Sequence, residues 1–253
     1  MHVPVFDLKT YSQKIRNDLH KSLEKMLKSG ILFLGPEVAK FEKNVCKFLN
    51  VKYSVAVSSG SSALYLALKA SGVKEGDEVI TTPLTWIITA NAIKAVGAVP
   101  RFADVGDDFN IDPKSILKNI TKKTKAIVPM HYAGLLCDME KIKRIAKKKK
   151  LLIIEDAAQS WNGSINGKKS GTFSNAAAFS MNPMKPLGGY GENGVVVTNN
   201  KKIYKKLLIL RHAGTHSKKN FITNNSKVVS LNHKMVNKHL PKIIRNEIKS
   251  FLE

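Results

Sequence analysis

An α/β fold, with a mainly parallel sheet in three layers and helices on both faces, is predicted by three observations. Short apolar runs rich in valine, isoleucine and alanine alternate with longer stretches whose apolar residues recur at helical spacing. Several of the short runs end directly in residues that carry chemistry, as strands of such sheets do at their C-terminal ends. At 253 residues and 43% hydrophobic, the chain has the apolar content for a sizeable core.

The elements follow in order. Residues 10–28 carry Ile15, Leu19, Leu23, Met26 and Leu27 at helical spacing and stop at Gly30. Residues 36–49 repeat the pattern with Val38, Phe41, Val45 and Leu49. Tyr53–Val57 then reads as a strand, followed by Ser58-Ser59-Gly60-Ser61-Ser62 and a helix through Ala70. Glu78–Thr81 is a strand, Ile87–Val96 a helix, and Val99–Ala103 and Ala126–Met130 are strands. Met139–Lys149 is a helix and Leu151–Glu155 a strand. Ala176–Ser180 and Val195–Thr198 are strands, and a helix runs from Lys201 to about Arg211. From about Lys218 the chain turns polar and irregular.

Composition narrows the function classes. Cys46 and Cys137 stand in unrelated contexts, which gives neither a disulfide framework nor metal-ligand spacing and makes a reducing cytoplasm the expected compartment. The start, Met1-His2-Val3-Pro4-Val5-Phe6-Asp7, has no secretory pattern. No run approaches the roughly 18 apolar residues of a membrane helix. The formal net charge is +23, from 42 Lys+Arg against 19 Asp+Glu. That excess raises nucleic-acid binding, but basic charge alone is a non-specific footprint. No arginine-rich arm or zinc-finger spacing accompanies it, so a lysine-filled surface is the preferred reading. Such a surface also suits an anionic nucleotide substrate.

Two segments concentrate the chemistry. Leu151-Leu152-Ile153-Ile154-Glu155-Asp156 is an apolar strand that ends in acid. Phe179-Ser180 leads through Met181-Asn182-Pro183-Met184 to Lys185, which sits between two prolines in an irregular loop. Glycines follow at 188, 189, 191 and 194 and allow a backbone to approach a cofactor closely. An amine for an aldehyde, a carboxylate for a ring nitrogen and donors for a phosphate are what pyridoxal phosphate requires. Each residue also has a plainer reading. Lys185 alone could be a solvated side chain, and Asp156 a turn-capping acid. Glu155 competes with Asp156, and strand alternation lets only one of them face the site. Ser59-Gly60-Ser61-Ser62 joins a strand to a helix, where free amides bind phosphate or a serine simply caps the helix. Trp86 follows a proline turn, either to stack on a cofactor ring or to fill the core at a helix start.

Together these residues resemble the sugar-nucleotide aminotransferases of the DegT/StrS type, which have the fold-type-I architecture of pyridoxal-phosphate enzymes. The resemblance runs from about Pro4 to Met235. It includes Leu34-Gly35-Pro36-Glu37-Val38, Phe41-Glu42, Gly76-Asp77-Glu78-Val79-Ile80 and Gly97-Ala98-Val99-Pro100 leading to Asp104. Glu155-Asp156-Ala157-Ala158-Gln159 and Phe179-Ser180 with Lys185 are its most specific parts.

The resemblance implies that Lys185 binds the cofactor aldehyde and shuttles the substrate proton. It implies that Asp156 pairs with the pyridine nitrogen, Gln159 reaches the 3-hydroxyl region and Trp86 stacks on the ring. Gly60, Ser61 and Ser180 would hold the phosphate, joined by Asn232 from a second subunit, so that the active unit is a homodimer with shared sites. The implied reaction passes an amino group, from glutamate as donor, to a nucleotide-linked keto-sugar for amino-sugar or surface-polysaccharide synthesis. Relatives that dehydrate instead have histidine in place of the lysine, so Lys185 speaks against that chemistry.

Two departures stand out. Ser160-Trp161 replaces a histidine common in relatives, so that Trp161 is expected to reshape the sugar pocket. After Met235 the sequence leaves the family pattern. The expectation is therefore a cofactor-binding large domain over 1–235 with a divergent or truncated tail at 236–253, and a C-terminal small domain largely absent. A remnant that binds cofactor or partner without turnover is the alternative this raises.

Overall fold

The computed structural model describes residues 13–212. Asn232 and the expected tail lie outside the described residues. Seven strands form one sheet in the order β1 (Tyr53–Val57), β9 (Gly194–Thr198), β8 (Ala176–Ser180), β5 (Leu152–Asp156), β4 (Thr124–Ile127), β2 (Glu78–Thr81), β3 (Val99–Phe102). β9 pairs antiparallel with both its neighbours. The remaining pairings are parallel, so β9 alone runs against the sheet. The mainly parallel sheet expected from the alternating pattern is therefore what forms.

The helices are α1 (Gln13–Ser29), α2 (Pro36–Leu49), α3 (Gly60–Ser71), α4 (Ile88–Ala95), α5 (Pro113–Asn119), α6 (Met139–Lys149) and α7 (Lys201–Arg211). Because strand side chains alternate, each strand feeds two cores. Ile154, Ala178 and Val196 join Leu64 and Leu68 of α3, Ile93 of α4 and Leu207 of α7 on one face. On the other face, Ile127 and Ile153 pack with Ile116 of α5 and Ile142 of α6. Phe179 and Val197 pack with Val45 and Leu49 of α2. Each fully buried leucine or isoleucine contributes about 1.5–3 kcal/mol. This parity decides the site, because Asp156 belongs with Ile154 and Glu155 with Ile153.

Several boundaries differ from expectation. The strand expected at Ala126–Met130 lies at Thr124–Ile127, because Pro129 has no N–H to continue the ladder. Asp156 is the last residue of β5 and not one beyond it. Helix α5 and a small hairpin of β6 (Ser164–Ile165) and β7 (Lys168–Lys169) had not been expected. The lysine run 147–150 ends α6, where positive charge complements the helix dipole; this is a structural place for the densest basic cluster. No helix among the described residues is long and apolar enough to cross a membrane.

Candidate active site

A cleft of about 310 Å³ opens at the C-terminal ends of the strands, on the face that carries α3 and α4. Its wall includes Asp156 from β5, Gln159 just after it, Ser180 from the end of β8 and Lys185 from the following loop. Gly60 and Ser61 enter from the start of α3, and Trp86 from the turn before α4. Seven of the eight expected site residues thus meet in one cavity, although they come from separate segments. The eighth, Asn232, is outside the described residues.

The α3 terminus is built for close approach. Ser59 caps the helix by accepting from the Ser62 N–H at 3.0 Å, which leaves the Gly60 and Ser61 amides at the open end. The capping reading is therefore what forms, and it does not exclude the anion-binding one. A Cβ on Gly60 would stand 2.5 Å from the Ser180 Cβ, so only glycine lets the helix start meet the end of β8. A Cβ on Gly194 would run into the Ser59 carbonyl. At 60 and 194 the missing side chain thus admits neighbouring protein. Near Lys185, a Cβ on Gly188 would crowd the Pro183 carbonyl at 2.7 Å. That is a reason internal to the loop, where the sequence had suggested room for a cofactor.

Strand alternation separates the two acids. Glu155 is fully buried on the far face. It accepts from Gly171 N–H at 2.8 Å, Phe173 N–H at 3.0 Å and the Ser174 hydroxyl at 2.6 Å. His131 completes its shell. Nδ1 of that ring accepts from the Cys137 N–H at 3.2 Å, so the ring proton sits on Nε2 and is donated to Glu155 at 3.1 Å. Asp156 faces the cleft at 6% exposure. It accepts from the Thr89 hydroxyl at 2.8 Å and the Ala158 N–H at 3.2 Å. Burial pushes its carboxyl above the usual aspartate range; the Thr89 and Ala158 hydrogen bonds, then the Lys185 charge, act in the opposite direction.

Gln159 has one end of its amide committed, because Oε1 accepts from the Ala133 N–H at 3.0 Å. Its NH2 is the end left for a partner in the cleft. Trp86 is 73% exposed, which excludes its reading as a core aromatic. Trp161 is not among the residues lining the cleft; it stacks on Phe48 at 5.1 Å and meets Phe179 edge-on. The expectation that it reshapes the pocket finds no support in that position.

The structure also adds residues that the sequence reading passed over. Thr85, Asn182, Met184 and Glu192 line the cleft, and Asn182 donates to Glu192 at 2.5 Å across the Lys185 loop. Thr89 lies behind Asp156. The readable signal for it was two threonines one helical turn apart, Thr85 and Thr89, in an otherwise apolar helix start.

Comparison with known proteins follows the same lines. The pattern of the DegT/DnrJ/EryC1/StrS aminotransferase family matches residues 13–240. A pleiotropic regulatory protein of Geobacillus stearothermophilus is 39% identical over 219 residues, 86% of this chain and 59% of that protein. The UDP-2-acetamido-2-deoxy-3-oxo-D-glucuronate aminotransferase of Pseudomonas aeruginosa is 37% identical over 79% of this chain and 56% of its own length. Among solved structures, NtdA of Bacillus subtilis with bound cofactor PMP superposes with a TM-score of 0.75 at 35% identity, over 78% of this chain and 45% of that one. The chain therefore spans somewhat more than half the length of these two curated relatives.

Proposed function

This chain belongs to the DegT/DnrJ/EryC1/StrS aminotransferase family, and from that premise we propose that it serves amino transfer with pyridoxal phosphate, from an amino acid such as glutamate to a nucleotide-linked keto-sugar. The observation that carries the reading is the meeting of Asp156, Lys185 and the α3 N-terminus in one cleft. The substrate class rests on the Pseudomonas aeruginosa relative, whose name is that of a nucleotide-sugar aminotransferase. Amino-sugar or surface-polysaccharide synthesis in the cytoplasm is the setting this implies.

The donor set fits the cofactor. A buried carboxylate faces the cleft, an amine shares its wall, and unpaired amides stand at a helix start. Asp156 would take the ring N–H, and Gln159 would offer its NH2 to the 3-hydroxyl. Gly60, Ser61 and Ser180 would hold the phosphate, and Trp86 would cover a ring face. Bound pyridoxal phosphate supplies an electron sink to the carbon that bears the amine. Lys185 would bind the cofactor aldehyde and, once released from it, would carry a proton between the substrate carbon and the C4′ carbon of the cofactor. An ionised Asp156 would keep the ring nitrogen protonated.

We further propose a homodimer with shared sites, with Asn232 of a second copy on the phosphate. Trp86, Ile87 and Met184 support it, since these large apolar side chains near the cleft are 73%, 62% and 53% exposed. Residues 1–235 would form the cofactor domain and 236–253 a divergent tail.

A second reading is cofactor binding without sugar turnover. Titration with pyridoxal phosphate, followed by glutamate and then a nucleotide keto-sugar, separates the two. A visible cofactor band that glutamate bleaches and the sugar restores supports the transferase. A band that survives both additions supports the second reading, and no band at all contradicts both.

A further inference from the structure

Beyond the residues that would touch the cofactor, a line of hydroxyls runs from the cleft wall into the protein. Thr85 lines the cleft, and its Oγ1 lies 2.7 Å from Oγ1 of Thr89. Thr89 is fully buried in the first turn of α4, 2.8 Å from Asp156 Oδ2. The distances alone leave the donors open, but the chemistry orders them. An ionised carboxylate only accepts, so the single hydroxyl proton of Thr89 goes to Asp156. The oxygen of Thr89 is then free to accept, and Thr85 is its donor. The Asp156 Oδ1 accepts from the Ala158 N–H on the other side.

We infer that Thr89 is a positioning residue for Asp156, oriented in turn by Thr85, and that this one-way hydroxyl chain keeps the carboxylate ionised and aimed into the cleft. The inference rests on the reading of the cleft as the cofactor site and adds to it residues that never touch the cofactor ring nitrogen. Asp156 sits at 6% exposure, where burial favours the protonated form. A protonated Asp156 could not hold a proton on a ring nitrogen. The Thr89 hydroxyl is the foremost influence acting against burial, followed by the Ala158 N–H. The titratable groups that face Asp156 are His131, whose ring proton is turned toward Glu155, and Lys185 across the cleft. Neighbouring β8 contributes only alanines at 176–178. The hydroxyl chain is therefore the part of this environment that substitution can remove without removing a charge.

The test is an infrared titration of the full chain without cofactor, following the carboxyl band that Asp156→Asn lacks. Thr89→Val keeps the shape and removes the hydroxyl; its midpoint is expected to rise by about one pKa unit or more. Thr89→Ser keeps the hydroxyl and is expected to titrate with the wild type. Thr85→Val is expected to move the midpoint the same way by less. An unshifted Thr89→Val, or equal shifts in Thr89→Val and Thr89→Ser, overturns the inference. If Thr89→Val fails to fold, Thr85→Val decides alone: an upward shift supports the chain and no shift overturns it. Pyridoxal phosphate titration of the same proteins keeps the two readings apart. A wild type that never binds the cofactor sinks the cofactor site, while the infrared result stands or falls by itself.

Discussion

Glu155 and Asp156 follow one another on β5 at 0% and 6% exposure, yet their carboxylates meet different surroundings. Glu155 turns toward the α5 and α6 face and takes four donors, three of them from the segment 171–174. It is saturated, and it staples a loop to the sheet. Asp156 turns toward α3 and α4 and takes two donors, so lone pairs remain toward the cleft. One residue of strand alternation thus separates a carboxylate used for folding from one available for chemistry. An acid that spends all its acceptor capacity on the protein has none left for a ligand.

The comparison breaks most sharply with Asp156→Asn. Size is kept and the charge for a ring nitrogen is lost, so amino transfer should fall by orders of magnitude in single-turnover assays with glutamate. The fold should survive. Glu155→Gln should do the reverse. It places an NH2 against two of the four donors, which is expected to cost about 2–4 kcal/mol in denaturant unfolding. At low temperature, where the variant is folded, cofactor binding should remain. Equal effects of the two substitutions on both readouts would erase the distinction.

Stability against pH sharpens it further. Burial raises the Asp156 carboxyl above its ordinary 3.8. Below that value it is protonated in both the folded and unfolded chain, and no penalty arises. As pH climbs, the unfolded chain ionises first, so folded stability declines until the folded carboxyl ionises too. Asp156→Asn removes this penalty. It should melt above the wild type at neutral pH, and the gap should close near and below pH 3.8. A variant that melts below the wild type at neutral pH would mean that the site carries no such strain.

How much of this was legible follows from range. Local patterns placed β1, β2, β8, α2, α6 and α7, whose alternation or helical spacing is unbroken. The parity of Glu155 and Asp156 was also local, and only their surroundings had to come from the fold. Besides the Thr85–Thr89 spacing, two local signals went unread. Asp112 followed by Pro113 starts α5, with Asp112 accepting from the Lys114 N–H at 2.9 Å. Asn166-Gly167, both at positive φ, turns the small hairpin. The edge position of β1 beside a reversed β9 was not legible, because it joins segments some 140 residues apart. His131 was invisible for the same reason, since it matters through Glu155, and although the Thr85–Thr89 spacing was readable, its tie to Asp156 had to come from the fold.

The smallest expected effect is at Trp86. Trp86→Ala should leave melting unchanged, because the side chain is 73% exposed. It should weaken cofactor binding by about 1 kcal/mol, roughly fivefold in Kd, through loss of a ring face. An unchanged Kd would remove Trp86 from the site.

The central claim is that the cleft beside Asp156 binds pyridoxal phosphate through Lys185. Borohydride reduction of the chain mixed with the cofactor, followed by peptide mass mapping, tests it directly in a sequence crowded with competing lysines. The account predicts one dominant pyridoxyl adduct, on Lys185, with that adduct reduced in Asp156→Asn and retained in Glu155→Gln. Adducts spread over surface lysines with Lys185 unmodified would contradict it.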